Sequence, residues 1–78
     1  MATLRLFASA KDVAKCSSLE VQAASVAEVL DIAIDAFGDE FQQVLNISRI
    51  WVNGEPASKN TLVTEKDEIA VLPPVSGG

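Results

Sequence analysis

The sequence predicts an α+β domain: a mixed sheet of about five strands with one main helix lying across one face. Three features carry that expectation. Short alternating apolar runs stand near both ends and past the middle of the chain, one amphipathic segment separates them, and an Asn-Gly pair closes one of the runs.

The opening run, Thr3-Leu4-Arg5-Leu6-Phe7-Ala8, alternates without a breaker and reads as a strand. A short polar connection through Lys11 and Asp12 leads to a second strand over Ser18-Leu19-Glu20-Val21-Gln22. With few residues between them, the two are expected to pair as an antiparallel hairpin. Ser25-Val26-Ala27-Glu28 then has the form of a capping box, in which the Ser25 hydroxyl accepts from the Glu28 amide. Val26, Val29, Leu30, Ala33, Ile34 and Phe37 come next at helical spacing, with Glu28, Asp31 and Asp35 on the other side. Gly38 is placed to end this helix in a left-handed conformation. A weaker helical turn is expected from Asp39 to Leu45, with Phe41, Val44 and Leu45 as its apolar side. Arg49-Ile50-Trp51-Val52 reads as a third strand, turned by Asn53-Gly54, because both residue types tolerate positive φ. Pro56 limits the next segment to a short edge strand. Thr64-Glu65-Lys66-Asp67 is a polar turn, Glu68 to Leu72 the last strand, and Pro73-Pro74 stops further pairing. A mixed sheet crossed by one helix in this order is a β-grasp, the ubiquitin-like fold. Residues 1–72 are expected to form the domain and 73–78 a flexible tail.

At 78 residues the chain suits one domain, and its 49% hydrophobic content is ample for a core. Eleven acidic against six basic side chains give a net charge of −5, which disfavours nucleic acid and anionic lipid as partners and suits a basic protein face. No apolar run approaches a membrane span, no basic n-region precedes an apolar h-region at the start, and the single cysteine, Cys16, excludes an internal disulfide; the expected compartment is the cytosol. The absence of histidine removes the commonest general base and metal ligand, so no metal or cofactor site is expected on this chain. Cys16 has no motif around it that would activate a thiol and reads as a half-buried packing residue.

Strand alternation sorts the side chains into two faces. Leu4, Leu6, Leu19, Val21, Ile50, Val52, Ile69 and Val71 form one set, to lie under the helix. The opposite phase leaves Arg5, Phe7, Trp51, Ala70 and Leu72 outside, and Phe7, Trp51 and Leu72 are large enough to mark a docking patch if their strands are neighbours. The second candidate surface is the ending Pro73-Pro74-Val75-Ser76-Gly77-Gly78. Two prolines favour an extended course with a reach of about 19 Å, and paired glycines can enter a channel too narrow for any side chain. An unhindered, ionised carboxylate on Gly78 can attack the α-phosphate of ATP when a partner supplies the ATP site and its metal.

The run Glu68-Ile69-Ala70-Val71-Leu72-Pro73-Pro74-Val75-Ser76-Gly77-Gly78 resembles the end of the small subunit of molybdopterin synthase, the MoaD family, and Trp51-Val52-Asn53-Gly54-Glu55 and Leu6-Phe7-Ala8 resemble it at the corresponding places. Leu72 departs from the family, which often has an aromatic there. The resemblance implies a sulfur carrier that is not an enzyme by itself. An adenylating partner of the ubiquitin-activating type (MoeB-like), using ATP and Mg, would activate Gly78, and a sulfur donor would convert it to a thiocarboxylate. Pro73, Pro74, Val75, Ser76 and Gly77 would thread into the large subunit (MoaE) of a heterotetramer, with Phe7, Trp51 and Leu72 holding the body. Sulfur would pass there to cyclic pyranopterin monophosphate. Asp67 and Glu68 would add electrostatic steering. The same tail suits a ubiquitin-like protein modifier, or a carrier for thiamine or cysteine synthesis.

Overall fold

In a computed structural model, which describes residues 1–74, the chain runs β1 (Ala2–Leu6), α1 (Ala8–Ala14), β2 (Ser18–Val21), α2 (Val26–Phe37), α3 (Asp39–Asn46), β3 (Arg49–Val52), β4 (Glu55–Pro56) and β5 (Glu68–Leu72). The five strands form one mixed sheet in the order β2-β1-β5-β3-β4. β1 and β5 pair in parallel at its centre, and every other neighbouring pair is antiparallel. The expected β-grasp is the observed fold.

The inner phase of the sheet is the expected one. Leu4, Leu6, Val21, Ile69 and Val71 are buried beneath the helices, while Leu19, Ile50 and Val52 pack on the margin of the core. Val26, Val29, Leu30 and Ala33 of α2 close over them. Phe41 of α3 is the largest fully buried side chain, and its ring tilts against Phe37 with centroids 5.1 Å apart. Ala2, Ala10 and Val63 complete the core.

The connection between the first two strands is not the polar link that Lys11 and Asp12 suggested. It holds the seven-residue helix α1, which buries Ala10 and packs Val13 and Ala14 against the core. Three alanines favour the helix intrinsically, and Lys15, at φ 62°, ends it with its amide donating to the Lys11 carbonyl. The antiparallel pairing of β1 with β2 survives this insertion.

The start of α2 is pinned from two sides. The Ser25 hydroxyl accepts from the Glu28 amide at 3.3 Å, as the capping motif requires. The Val26 and Ala27 amides donate to the carbonyls of Thr61 and Lys59, so a distant loop satisfies two donors that a helix N-terminus ordinarily leaves open. At the other end Gly38 has φ 92° and ψ −170°, which is positive φ but not the left-handed helical region anticipated. This region is essentially restricted to glycine, and it lets one residue end α2 and begin α3. A Cβ there would meet nothing within 4 Å, so Gly38→Ala isolates the backbone cost. Urea unfolding should show a loss of about 1–3 kcal/mol; an unchanged midpoint would contradict this reading.

Candidate functional site: the outer sheet face and the root of the tail

β1, β5 and β3 are neighbours, so the outward phase of their side chains forms one surface. Arg5, Ala70 and Trp51 stand in register across the three strands, with Pro56 of β4 beside Trp51. Leu72 is opposite Arg49. Phe7 comes directly after the last registered pair of β1 and β5, Leu6 with Val71, in extended backbone, which brings it into line with Leu72. Phe7 is 43% exposed, while Trp51 and Leu72 are half-buried. The three apolar residues picked from strand phase therefore share one face, Phe7 and Leu72 where β5 finishes and Trp51 opposite the middle of β5.

β5 leads directly to the prolines. Pro73 is buried and Pro74 exposed, so packing continues one residue beyond Leu72 and the chain leaves the body between the two prolines. Val75, Ser76, Gly77 and Gly78 lie outside the described residues. Their attachment point, however, is fixed: a central strand hydrogen-bonded on both sides.

The two carboxylates expected to steer a partner are engaged within the chain. Glu68 Oε2 accepts from Arg5 Nε at 2.8 Å, across the parallel strands on the outer face. Asp67 belongs to a clasp around the β3–β4 turn. Asn53 Nδ2 donates to Asp67 Oδ1 at 2.8 Å, the Thr64 amide donates to Asp67 Oδ2 at 2.7 Å, and the Glu68 amide donates to Asn53 Oδ1 at 2.9 Å. Asn53 is expected at positive φ, and it does sit at φ 51° before Gly54 at φ 84°. Its side chain has a second task, binding the turn to the entry of β5, which the local sequence does not reveal.

Hydrogen bonds from the Asn53 side chain and then the Thr64 amide hold the Asp67 carboxyl below its ordinary pKa, against a smaller opposing effect of desolvation. A lowered folded-state pKa means that Asp67 stabilises the fold above its unfolded pKa and ceases to do so as pH falls through the folded value. Asp67→Ala should therefore lower Tm at neutral pH, and its deficit against the parent should narrow in acid, below the ordinary aspartate range. Thermal unfolding as a function of pH checks this; a deficit independent of pH would contradict it.

Among the described residues no group of three or more His, Cys, Asp or Glu side chains is placed to hold a metal ion, and no helix is long and apolar enough to cross a membrane. Cys16 is a free, half-buried thiol packed against the core.

A search of curated proteins finds no match. Among solved structures, the chain is similar to SAMP1 from Haloferax volcanii, at 29% identity and TM-score 0.87, with 99% of this chain and 98% of that one covered. It is similar to small archaeal modifier protein 1 from Methanosarcina acetivorans at 26% identity and TM-score 0.87, covering 99% and 95%. It also shares its fold with a chain of the complex of subunits 1 and 2 of the molybdopterin-converting factor from Helicobacter pylori 26695, at 24% identity and TM-score 0.74, covering 99% and 97%. The ThiS family model matches residues 4–78, taking in the sheet, the outer face and the Gly-Gly ending together, and the chain accordingly belongs to the ThiS family of ubiquitin-like sulfur carriers.

Proposed function

We propose that this carrier works as the sulfur-donating subunit of a molybdopterin synthase, with Gly78 as the reacting residue. The observation that carries the reading is the junction of the two surfaces: an apolar face holding Phe7, Trp51 and Leu72 borders the point at which Pro74 leaves the body. A partner gripping that face receives the tail in a defined direction, and Pro73, expected to thread with the tail, is buried against the body instead. The segment free to thread then begins at Pro74 and ends at Gly77-Gly78, where no side chain obstructs a narrow channel.

The chemistry proceeds in three steps. The Gly78 carboxylate attacks the α-phosphate of ATP bound with Mg by a MoeB-like activating partner, forming an acyl-adenylate and releasing pyrophosphate. Sulfide delivered by a sulfur donor then attacks the acyl carbon and displaces AMP, leaving a thiocarboxylate. Bound in the large subunit (MoaE) of a heterotetramer, the thiocarboxylate sulfur attacks cyclic pyranopterin monophosphate. Water then cleaves the acyl–sulfur bond, so that the sulfur stays on the pterin and Gly78 returns to a carboxylate. A second loaded carrier supplies the second dithiolene sulfur. Acid and base groups for these steps come from the partners, since this chain contains no histidine and the carboxylates at the entry of β5, Asp67 and Glu68, are engaged by Asn53 and Arg5.

A second reading, protein modification through an isopeptide bond from Gly78 to lysine, is favoured by one finding: the 29% and 26% identities are to small archaeal modifier proteins, against 24% for the molybdopterin-converting factor chain. Reconstitution separates the two. Molybdopterin should form from the pyranopterin precursor when the loaded carrier meets the large subunit. Lysine-linked conjugates that vanish on deletion of Gly78, without molybdopterin formation, would instead establish the modifier. Adding one residue after Gly78 should abolish either activity and leave Tm unchanged; retained activity would refute terminal chemistry.

A further inference from the structure

On the side of the sheet away from Phe7, Trp51 and Leu72, α2 and α3 do not close completely over β3. A groove of about 300 Å³ lies between them, floored by Leu30, Ile34, Leu45 and Ile50. It continues past Gln42 along the two helices to Gly38. Ile34, Leu45 and Ile50 are only half-buried, so the floor retains apolar surface that the domain itself does not cover.

The banks of this groove are charged asymmetrically. Asp31 of α2 lines the groove itself, and Asp35 of α2 and Asp39 of α3 line its shallow continuation toward Gly38. Lys59, whose carbonyl accepts from the Ala27 amide, lies toward the start of α2. Between Lys15 and Arg49 the sequence contains no lysine or arginine at all, so neither helix can neutralise these carboxylates from its own residues. The ion pair found among the described residues joins Arg5 to Glu68, on the other face.

We propose that this groove docks a short partner segment in which aliphatic side chains adjoin lysine or arginine. The aliphatic groups cover the apolar surface left on Ile34, Leu45 and Ile50, and the cations meet Asp31, Asp35 and Asp39. An anionic or purely apolar segment would leave the acidic bank unpaired and is selected against. Because the sheet separates the groove from the outer face, a second protein can bind here while the tail is engaged elsewhere. The inference does not depend on what Gly78 carries.

The probe is a synthetic hexapeptide, Glu-Leu-Val-Leu-Arg-Lys, capped at both ends and titrated into the isotopically labelled full chain by NMR. Amide shifts should concentrate at Leu30, Asp31, Ile34, Leu45 and Ile50, and binding should weaken with added salt. The double substitution Asp31→Lys and Asp35→Lys, both at exposed positions, should weaken binding by about tenfold or more. Trp51→Lys should leave binding unchanged. The same peptide with Arg and Lys replaced by Glu should not bind. Absence of shifts at about 1 mM peptide, shifts spread over every acidic residue, an unaltered affinity in the double variant, or loss of binding in Trp51→Lys would each overturn the proposal.

Discussion

Phe41→Ala should lower the free energy of unfolding by about 3–5 kcal/mol, the usual range for truncating a fully buried phenylalanine. Phe41 is completely buried and packs its ring against Phe37, so its removal opens a void that α3 cannot fill without shifting against α1 and α2. Domains have only about 5–15 kcal/mol to lose, and small ones tend to have less because they bury a smaller share of their surface. The variant should show a strongly reduced urea midpoint and, near body temperature, a substantial unfolded fraction. Circular dichroism during urea titration measures it. A loss below about 1 kcal/mol would mean that α3 contributes little to the core.

Trp51→Lys should have the opposite profile, a large effect on binding and a small one on folding. Trp51 is half-buried on the outer face, flanked by Ala70 in register on β5 and Pro56 on β4. A tryptophan at the centre of an apolar docking patch ordinarily contributes at least about 2 kcal/mol to association, roughly a thirtyfold change in Kd. A lysine can keep its aliphatic stem along the sheet and extend its charge into water, so stability should change by no more than about 1 kcal/mol. Calorimetric titration against the activating partner, beside thermal unfolding of the free chain, reads both quantities. An unfolded variant would return Trp51 to the core, and unchanged affinity would move the docking surface elsewhere.

Features whose cause is local were legible in the sequence. The Ser25-to-Glu28 cap, the apolar stripe of α2, the Asn53-Gly54 turn and the inner and outer phases of the strands all come from residue type and spacing over a few positions. Because strand phase was legible, so was the shared face of Phe7, Trp51 and Leu72.

The features that escaped reading depend on contacts between distant segments. Lys11 and Asp12 made the first connection look like a solvated link, although alanines at positions 8, 10 and 14 supply a helix whose buried side needs very little bulk. Val63 is buried without any surrounding periodicity, because its amide donates to the Ala24 carbonyl and holds the loop against the body. Asn53 and Asp67 are fourteen residues apart, and nothing in either neighbourhood indicates that they meet. Asp67 and Glu68 look like free charges for the same reason. The α2–α3 groove was invisible because its floor residues look like ordinary helix and strand core until the gap between the helices is seen.

In the proposed function, Gly78 bears the group that accepts and delivers sulfur. Intact-mass spectrometry of the purified full chain, after incubation with an activating enzyme, ATP, Mg and a sulfur source, tests this most directly. The predicted result is a mass increase equal to exchanging one oxygen for one sulfur, assigned by fragmentation to Gly78 and lost when ATP is omitted. An unchanged mass with an active enzyme and donor, or sulfur found on Cys16 instead, would contradict it.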